Sequence, residues 1–295
     1  MEAMVWEWPI FIDLWAAGVA GGGYFAAFLV DRFTGRKHKL LIQIATWVGV
    51  PMALLGVLLL VLDLGNLPWF WHLTVKFSPP FLVFYPLSPM SIGTWVLAFW
   101  SACGVGLIAL WFAEIFEPAE QPTDVFARVA SLLRPLVPAT EILGWITFVL
   151  SVLLIAYTGV LLSNTRIALW ATVFLPALFV TSAVFTGTAG IRLVLTLLGK
   201  DVPEEFGKAS LILAALQVLA LVGFLVIVPA GVLVSGPLSL WFWVGVVLIG
   251  LLVPFGLELG TLKAKGTTPL VLASTLCALI GGLILRAVVV IGGQM

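Results

Sequence analysis

Charge is what this chain lacks. Only 9% of its 295 residues are Asp, Glu, Lys or Arg, and 62% are hydrophobic. A water-soluble domain carries roughly 25% charged residues to cover its surface, so the composition excludes one and indicates an integral membrane protein. Fourteen basic and fourteen acidic residues leave a formal charge of zero, which favours neither nucleic acid nor an acidic partner. Histidine is almost absent: His38 and His72 lie between apolar runs, on opposite sides of the membrane by the orientation argued below. A membrane haem b needs axial histidines within its spans, so bound b-type haem is not expected. The two cysteines, Cys103 and Cys277, sit far apart inside apolar runs without a CxxC, which excludes a zinc or iron–sulfur site of the protein's own. No Ser/His/Asp set, metal-ligand cluster or nucleotide loop appears. Redox work by such a protein requires a diffusible quinone or a carrier on another subunit.

What is there is long apolar segments. About 30 Å of hydrocarbon takes roughly 20 apolar residues in a helix, and eight segments qualify: about 9–30, 40–62, 91–116, 138–162, 168–197, 209–234, 238–260 and 267–292. The fold class expected is an all-α integral membrane protein of eight transmembrane helices, a single membrane domain over 1–295 arranged as two four-helix bundles. The fifth segment is long enough to tilt or to extend beyond the bilayer. The N-terminal MEAMVWEWPIF has two acids and no Lys or Arg, unlike the basic start of a cleaved signal peptide, so the first span is expected to be retained. Eleven of the fourteen Lys and Arg fall between spans 1–2, 3–4, 5–6 and 7–8 or, in the case of Arg192, at the inner end of span 5. Lys76 and Arg166 lie on the opposite side, and Arg286 is within span 8. The positive-inside bias then places both termini on the non-cytoplasmic side. The connection 63–90 is the longest on that outer side and rich in Pro and aromatics, which suits either an aromatic belt or a platform for a docked subunit.

Ionisable residues within spans are costly and mark function by default. Asp13, Asp63 and Arg286 lie toward the outer face, as do Tyr157, Asn164 and Arg166; Glu141, Arg192 and Glu258 lie toward the inner face. Two readings stand: ion pairs such as Asp13 or Asp63 with Arg286 that hold the bundle together, or an outer polar pocket with a relay leading inward. The glycines of GVAGGG (18–23) are expected to permit close helix approach, and Pro51, Pro176, Pro229 and Pro254 to kink spans.

Several motifs in order carry a resemblance over nearly the whole sequence. They are the polar residue before GVAGGG in span 1, PLSPMSIGTWVLAFW, YTGVLLSNTRIALW, LPALFVTSAVFTGTAG, FGLELG and ALIGGLILRAVVVIGGQ. Together they resemble the NrfD/polysulfide-reductase membrane-subunit family, the quinone-binding anchors of molybdopterin oxidoreductase complexes. The resemblance implies a subunit without haem, metal or iron–sulfur cluster, multi-pass in a prokaryotic cytoplasmic membrane. It also implies a four-cluster [4Fe-4S] ferredoxin-like partner, a molybdopterin catalytic subunit, and a menaquinone or ubiquinone site close to the iron–sulfur subunit. By motif position, Tyr157 matches a tyrosine that contacts the quinone. Asp13 falls where the polysulfide reductase has a histidine near the quinone, and a carboxylate can accept a quinol proton as an imidazole does. Asp63, Glu258 and Arg286 match ionisable positions on the family's proton route, to which membrane depth adds Glu141 and Arg192. Thr158 shares the outer half of span 4 with Tyr157 and can face the head group, with Asn164 at the rim.

The resulting expectation is a quinol/quinone oxidoreductase subunit, not catalytic alone, in which Asp13, Tyr157 and Arg286 do the chemistry. The alternatives are a secondary transporter, with a polar midplane site between repeats, and a structural anchor without a quinone site.

Overall fold

The computed structural model describes residues 6, 8–63, 85, 88–115, 125–263 and 268–295, side chains of 261–263 excepted. Among them there is no strand, and eight helices are long and apolar enough to cross a membrane. A helix satisfies its own backbone where no water can, and the low charge of these segments leaves no other stable arrangement in lipid.

In order along the sequence, α1 (Trp8–Phe33), α2 (Lys39–Asp63) and α3 (Pro89–Ile115) are followed by a short α4 (Val125–Leu133) and a 3₁₀ turn, Arg134–Ala139. Then come α5 (Thr140–Ser163), α6 (Phe174–Leu197), α7 (Glu204–Ile227) and the one-turn α8 (Gly231–Val234). A π-helical segment, Trp241–Leu252, runs directly into α9 (Val253–Lys263), and α10 (Thr268–Gly292) ends the fold. The connection 63–90 lies, apart from Asp63, Tyr85 and 88–90, outside the described residues, as does His72.

Two four-helix bundles result. Helices α1, α2, α3 and α5 pack together, as do α6, α7, the π/α9 helix and α10. Two apolar cores cross this division: one around Trp100, Tyr24 and Leu97 also takes in Val184 and Phe206, and the other around Phe179, Phe242 and Leu285 also takes in Leu14 and Leu162. Helices α1 and α6 form the seam. A Cβ at Gly22 would overlap the Ala183 carbonyl, and one at Gly187 would overlap the Gly23 amide. At Gly22 and Gly23 the segment is filled by the α6 backbone, while Gly21 faces Ile155 of α5 and Gly18 faces Arg286; small residues let α1 and α6 touch.

Of the four prolines expected to kink spans, two lie outside a helix interior: Pro176 is in the first turn of α6 and Pro229 lies beyond the end of α7, whereas Pro51 is inside α2 and Pro254 falls within a continuous helix where the π register gives way to α9. Proline has no N–H to donate, so a helix start or a register change accommodates it without a broken bond. The fifth apolar segment is likewise helical only from Phe174, because Ile167–Thr172 fold into turns that seat Trp170 against α10. The buried Trp170 indole donates to the Val289 carbonyl at 2.7 Å. Gln294 exchanges two hydrogen bonds with the Trp6 backbone, at 2.9 and 2.8 Å. Trp6 and Gln294 are thereby held together at one end of the bundle, called here the termini end.

Candidate functional site

Four residues converge at similar depth below the termini end. Asp13 lies five residues into α1 and Tyr157 six before the end of α5; Gly56 lies seven before the end of α2 and Gly93 four into α3. At 1.5 Å per residue these offsets are about 6–10 Å. The missing side chain of Gly56 makes room for the Asp13 carboxylate, which a Cβ there would overlap, and that of Gly93 makes room for the Tyr157 ring. Asp13 is 2% exposed and its Oδ1 has no hydrogen-bond partner. Tyr157 is half-buried, packed against the first core, and within electrostatic range of Asp13. A buried polar atom without a partner is costly. A carboxylate oxygen held in that state, within electrostatic range of a phenol, is equipped to accept a proton from a hydroxyl-bearing ligand.

The other outer residues take different places. Thr158 is fully buried and its hydroxyl donates to the Ile155 carbonyl of its own helix. Asn164 caps α5 and is exposed. Asp63 ends α2 and is also exposed.

Arg286 does not pair with Asp13, one of the two partners that the ion-pair reading allowed it. Depth in the membrane is legible from sequence, but the direction around the helix is not. Asp13 faces α2, whereas Arg286 reaches α1 from α10 and enters the α1–α6 seam. Its Nε donates to the Leu14 carbonyl at 3.1 Å, and its Nη1 donates to the Ser182 hydroxyl at 3.1 Å and the Gly282 carbonyl at 2.9 Å. The guanidinium lies 5.4 Å from the Phe179 ring centre, and a Cβ at Gly18 would come within 2.6 Å of Nη2. Nη2 has no partner. The fully buried cation is thus solvated by carbonyls, a hydroxyl and a ring face, the substitutes available where no carboxylate is near.

Toward the far end, Arg192 of α6 and Glu258 of α9 form a buried ion pair through Nη1 and Oε1. The Ser210 hydroxyl accepts from Arg192 Nη1 at 3.1 Å and donates to Glu258 Oε1 at 3.1 Å; Ser274 donates to the same oxygen at 3.2 Å. Four helices of the second bundle, α6, α7, α9 and α10, are joined by this cluster. Sequence depth identified Arg192 and Glu258 but not the two serines, which are indistinguishable from other small residues of apolar helices. Glu141, the remaining inner residue, belongs to the first bundle. Its Oε1 lies 3.0 Å from Arg32 Nη1 and accepts a hydrogen bond from Arg36 Nη2 at 3.0 Å.

Gly56 and Gly93 are likewise invisible to sequence reasoning; the one available signal is that Gly93 falls within PLSPMSIGTW. Among the described residues no group of three His, Cys, Asp or Glu could hold a metal ion.

The outer pair, the arginine hub and the buried inner pair occupy a polypeptide that matches known proteins end to end. The family model for "Polysulphide reductase, NrfD" covers residues 1–295. Protein NrfD of Escherichia coli is 31% identical, over 100% of this sequence and 96% of its own length. The C subunit of polysulfide reductase from Wolinella succinogenes is 29% identical, over 99% and 95% respectively. The NrfD homolog of Haemophilus influenzae is 25% identical, again over 99% and 95%. With eight apolar helices in two bundles and a family match over its whole length, the protein belongs to the NrfD/polysulphide reductase family of multi-pass membrane proteins.

Proposed function

We propose that this protein is the membrane subunit of a respiratory redox complex and oxidises a quinol, menaquinol or ubiquinol, between α1, α2, α3 and α5. The observation that carries the reading is the unpartnered Asp13 Oδ1, buried opposite Gly56 and within electrostatic range of Tyr157. In the quinol-to-quinone direction the substrate loses two electrons and two protons. Asp13 takes the two hydroxyl protons in turn as general base, releasing each toward the outer face before accepting the next, and the Tyr157 hydroxyl donates to a ring oxygen and fixes the ring's orientation. The electrons pass one at a time to a ferredoxin-like partner carrying four [4Fe-4S] clusters, and from it to a molybdopterin catalytic subunit. The same groups serve the reverse direction. Membership of one family with the C subunit of polysulfide reductase supports the partnered arrangement.

The positive-inside bias favours a cytoplasmic membrane with the termini end on the non-cytoplasmic side. Arg286, holding α1 one residue past Asp13, positions that carboxylate. Arg192, Glu258 and Glu141 would then carry protons from the inner side, with Asp63 at the outer mouth. The transporter reading finds little support at the interface of the two bundles, where α1 and α6 are in backbone contact at Gly22 and Gly187.

Steady-state quinol oxidation by the native complex tests the proposal. Asp13→Asn is expected to lower kcat/KM by about 10²–10⁴-fold, the usual contribution of a positioned general base. Wild-type rates in both Asp13→Asn and Tyr157→Phe would leave only a structural anchor.

A further inference from the structure

At the far end of the first bundle, away from the proposed quinol site and independent of that reading, lies a cavity of about 330 Å³. It opens where α1 and α3 end and α2 and α5 begin, the level at which lipid head groups meet the hydrocarbon. Its floor is largely apolar and aromatic, with Phe28, Ile42 and Leu107 among its residues. Its rim carries three cations, Arg32, Arg36 and Lys39, and three anions, Asp31, Glu114 and Glu141.

The charges are organised. Lys39 Nζ lies 2.7 Å from Glu114, and Glu141 Oε1 sits between Arg32 and Arg36, 3.0 Å from each. Asp31 accepts the His38 backbone N–H at 2.8 Å and so closes the α1–α2 turn. Arg32 is clamped over the Phe28 and Trp145 rings, at 4.7 and 5.6 Å. Its Nη1 meets Glu141 without an aligned hydrogen bond, and its Nε has no partner. Trp111, 5% exposed, lines the same cavity, and its indole N–H is also unpartnered.

Unpartnered N–H donors call for acceptor oxygens. A rim of zero net charge that carries both signs disfavours a bare anion and suits a zwitterion. An apolar floor under such a rim suits an amphiphile. We propose that this cavity binds the head group of a zwitterionic phospholipid with a primary ammonium. Its phosphate oxygens accept from Trp111 and Arg32. Its ammonium donates to Glu114 and Glu141, each exposed enough to take a further donor. The glycerol end covers the Phe28–Leu107 floor.

The test is native mass spectrometry of the full-length protein with its co-purifying subunits, after detergent exchange and titration with dioleoyl phosphatidylethanolamine, phosphatidylglycerol or phosphatidylcholine. One phosphatidylethanolamine should survive activation that strips the other two, with at least fivefold higher occupancy. Trp111→Phe, which removes the N–H and keeps an aromatic ring, should lower that occupancy at least fivefold; if that variant does not accumulate, Glu114→Gln, which removes an ammonium acceptor at the exposed rim, should do the same. Equal retention of the three lipids, or unchanged retention in the variant, overturns the proposal. So does displacement by equimolar soluble phosphoethanolamine, which would make the ligand a free metabolite.

Discussion

Arg286 Nε donates to the Leu14 backbone carbonyl at 3.1 Å, so a fully buried cation on the last helix grips the turn of α1 that carries Asp13. Its bonds to Leu14, Ser182 and Gly282 use the planar fork of the guanidinium, which lysine cannot reproduce. Arg286→Lys should therefore recover little of what Arg286→Gln loses. Each should lower the thermal midpoint of the purified complex by several degrees and reduce quinol turnover with it. Full recovery of both by lysine would mean that the charge matters there and the bonding geometry does not.

Glycines that touch different things should behave differently. Gly56→Ala puts a methyl group against the Asp13 carboxylate, and Gly22→Ala puts one into the Ala183 backbone. A carboxylate can turn away, whereas two packed backbones cannot separate without opening the seam. Gly56→Ala is expected to accumulate in the membrane near the wild-type level with quinol oxidation reduced about tenfold or more. Gly22→Ala is expected to fail to accumulate. Membrane immunoblots alongside turnover numbers separate the two, and equal behaviour would contradict the packing described.

Gly93→Ala and Tyr157→Phe probe the second wall. The alanine displaces the ring, while the phenylalanine keeps the ring and removes the hydroxyl. Gly93→Ala should raise KM and lower kcat together, and Tyr157→Phe should act mainly on kcat, because a hydroxyl that strengthens its bond as the ring oxygen changes charge acts in the transition state. Identical kinetic signatures would remove the distinction between shape and chemistry.

These residues also show what a sequence of this kind discloses. Apolar length and sparse charge make the spans legible, because lipid tolerates no other backbone arrangement. GVAGGG announces close helix contact, and α6 supplies it through Ala183 and Gly187. Depth is legible too: Asp13 and Tyr157 are expected toward the same face, and they lie at similar depth within electrostatic range of each other. Azimuth is not. Eight helices that are apolar all round give no stripe from which to read the direction of Asp13, so its partnership with Arg286 is admissible on sequence and absent in the fold. Ser210, Ser274 and Gly56 act through what faces them across a helix interface, and nothing local to their sequence distinguishes them.

The buried Arg192–Glu258 pair gives a prediction by subtraction. Removing one partner leaves an uncompensated buried charge at about 3–5 kcal/mol. Glu258→Gln or Arg192→Gln alone should destabilise the protein strongly, and the double substitution should recover much of the loss in a double-mutant cycle. In proteoliposomes, Glu258→Gln should suppress proton movement more than quinol oxidation. Additive losses in the cycle would argue against the pair, and unaltered proton uptake against its place on a proton route.

The central claim is that quinol binds beside Asp13 and Tyr157. Photo-crosslinking of the native complex with an azido-quinone, followed by peptide mapping, addresses it directly. Adducts are expected on the segments around Asp13 in α1, Gly93 in α3 and Tyr157 in α5, and excess unlabelled quinol should abolish them. Adducts confined to the far end of the bundle, or labelling that excess quinol leaves unchanged, would contradict the account.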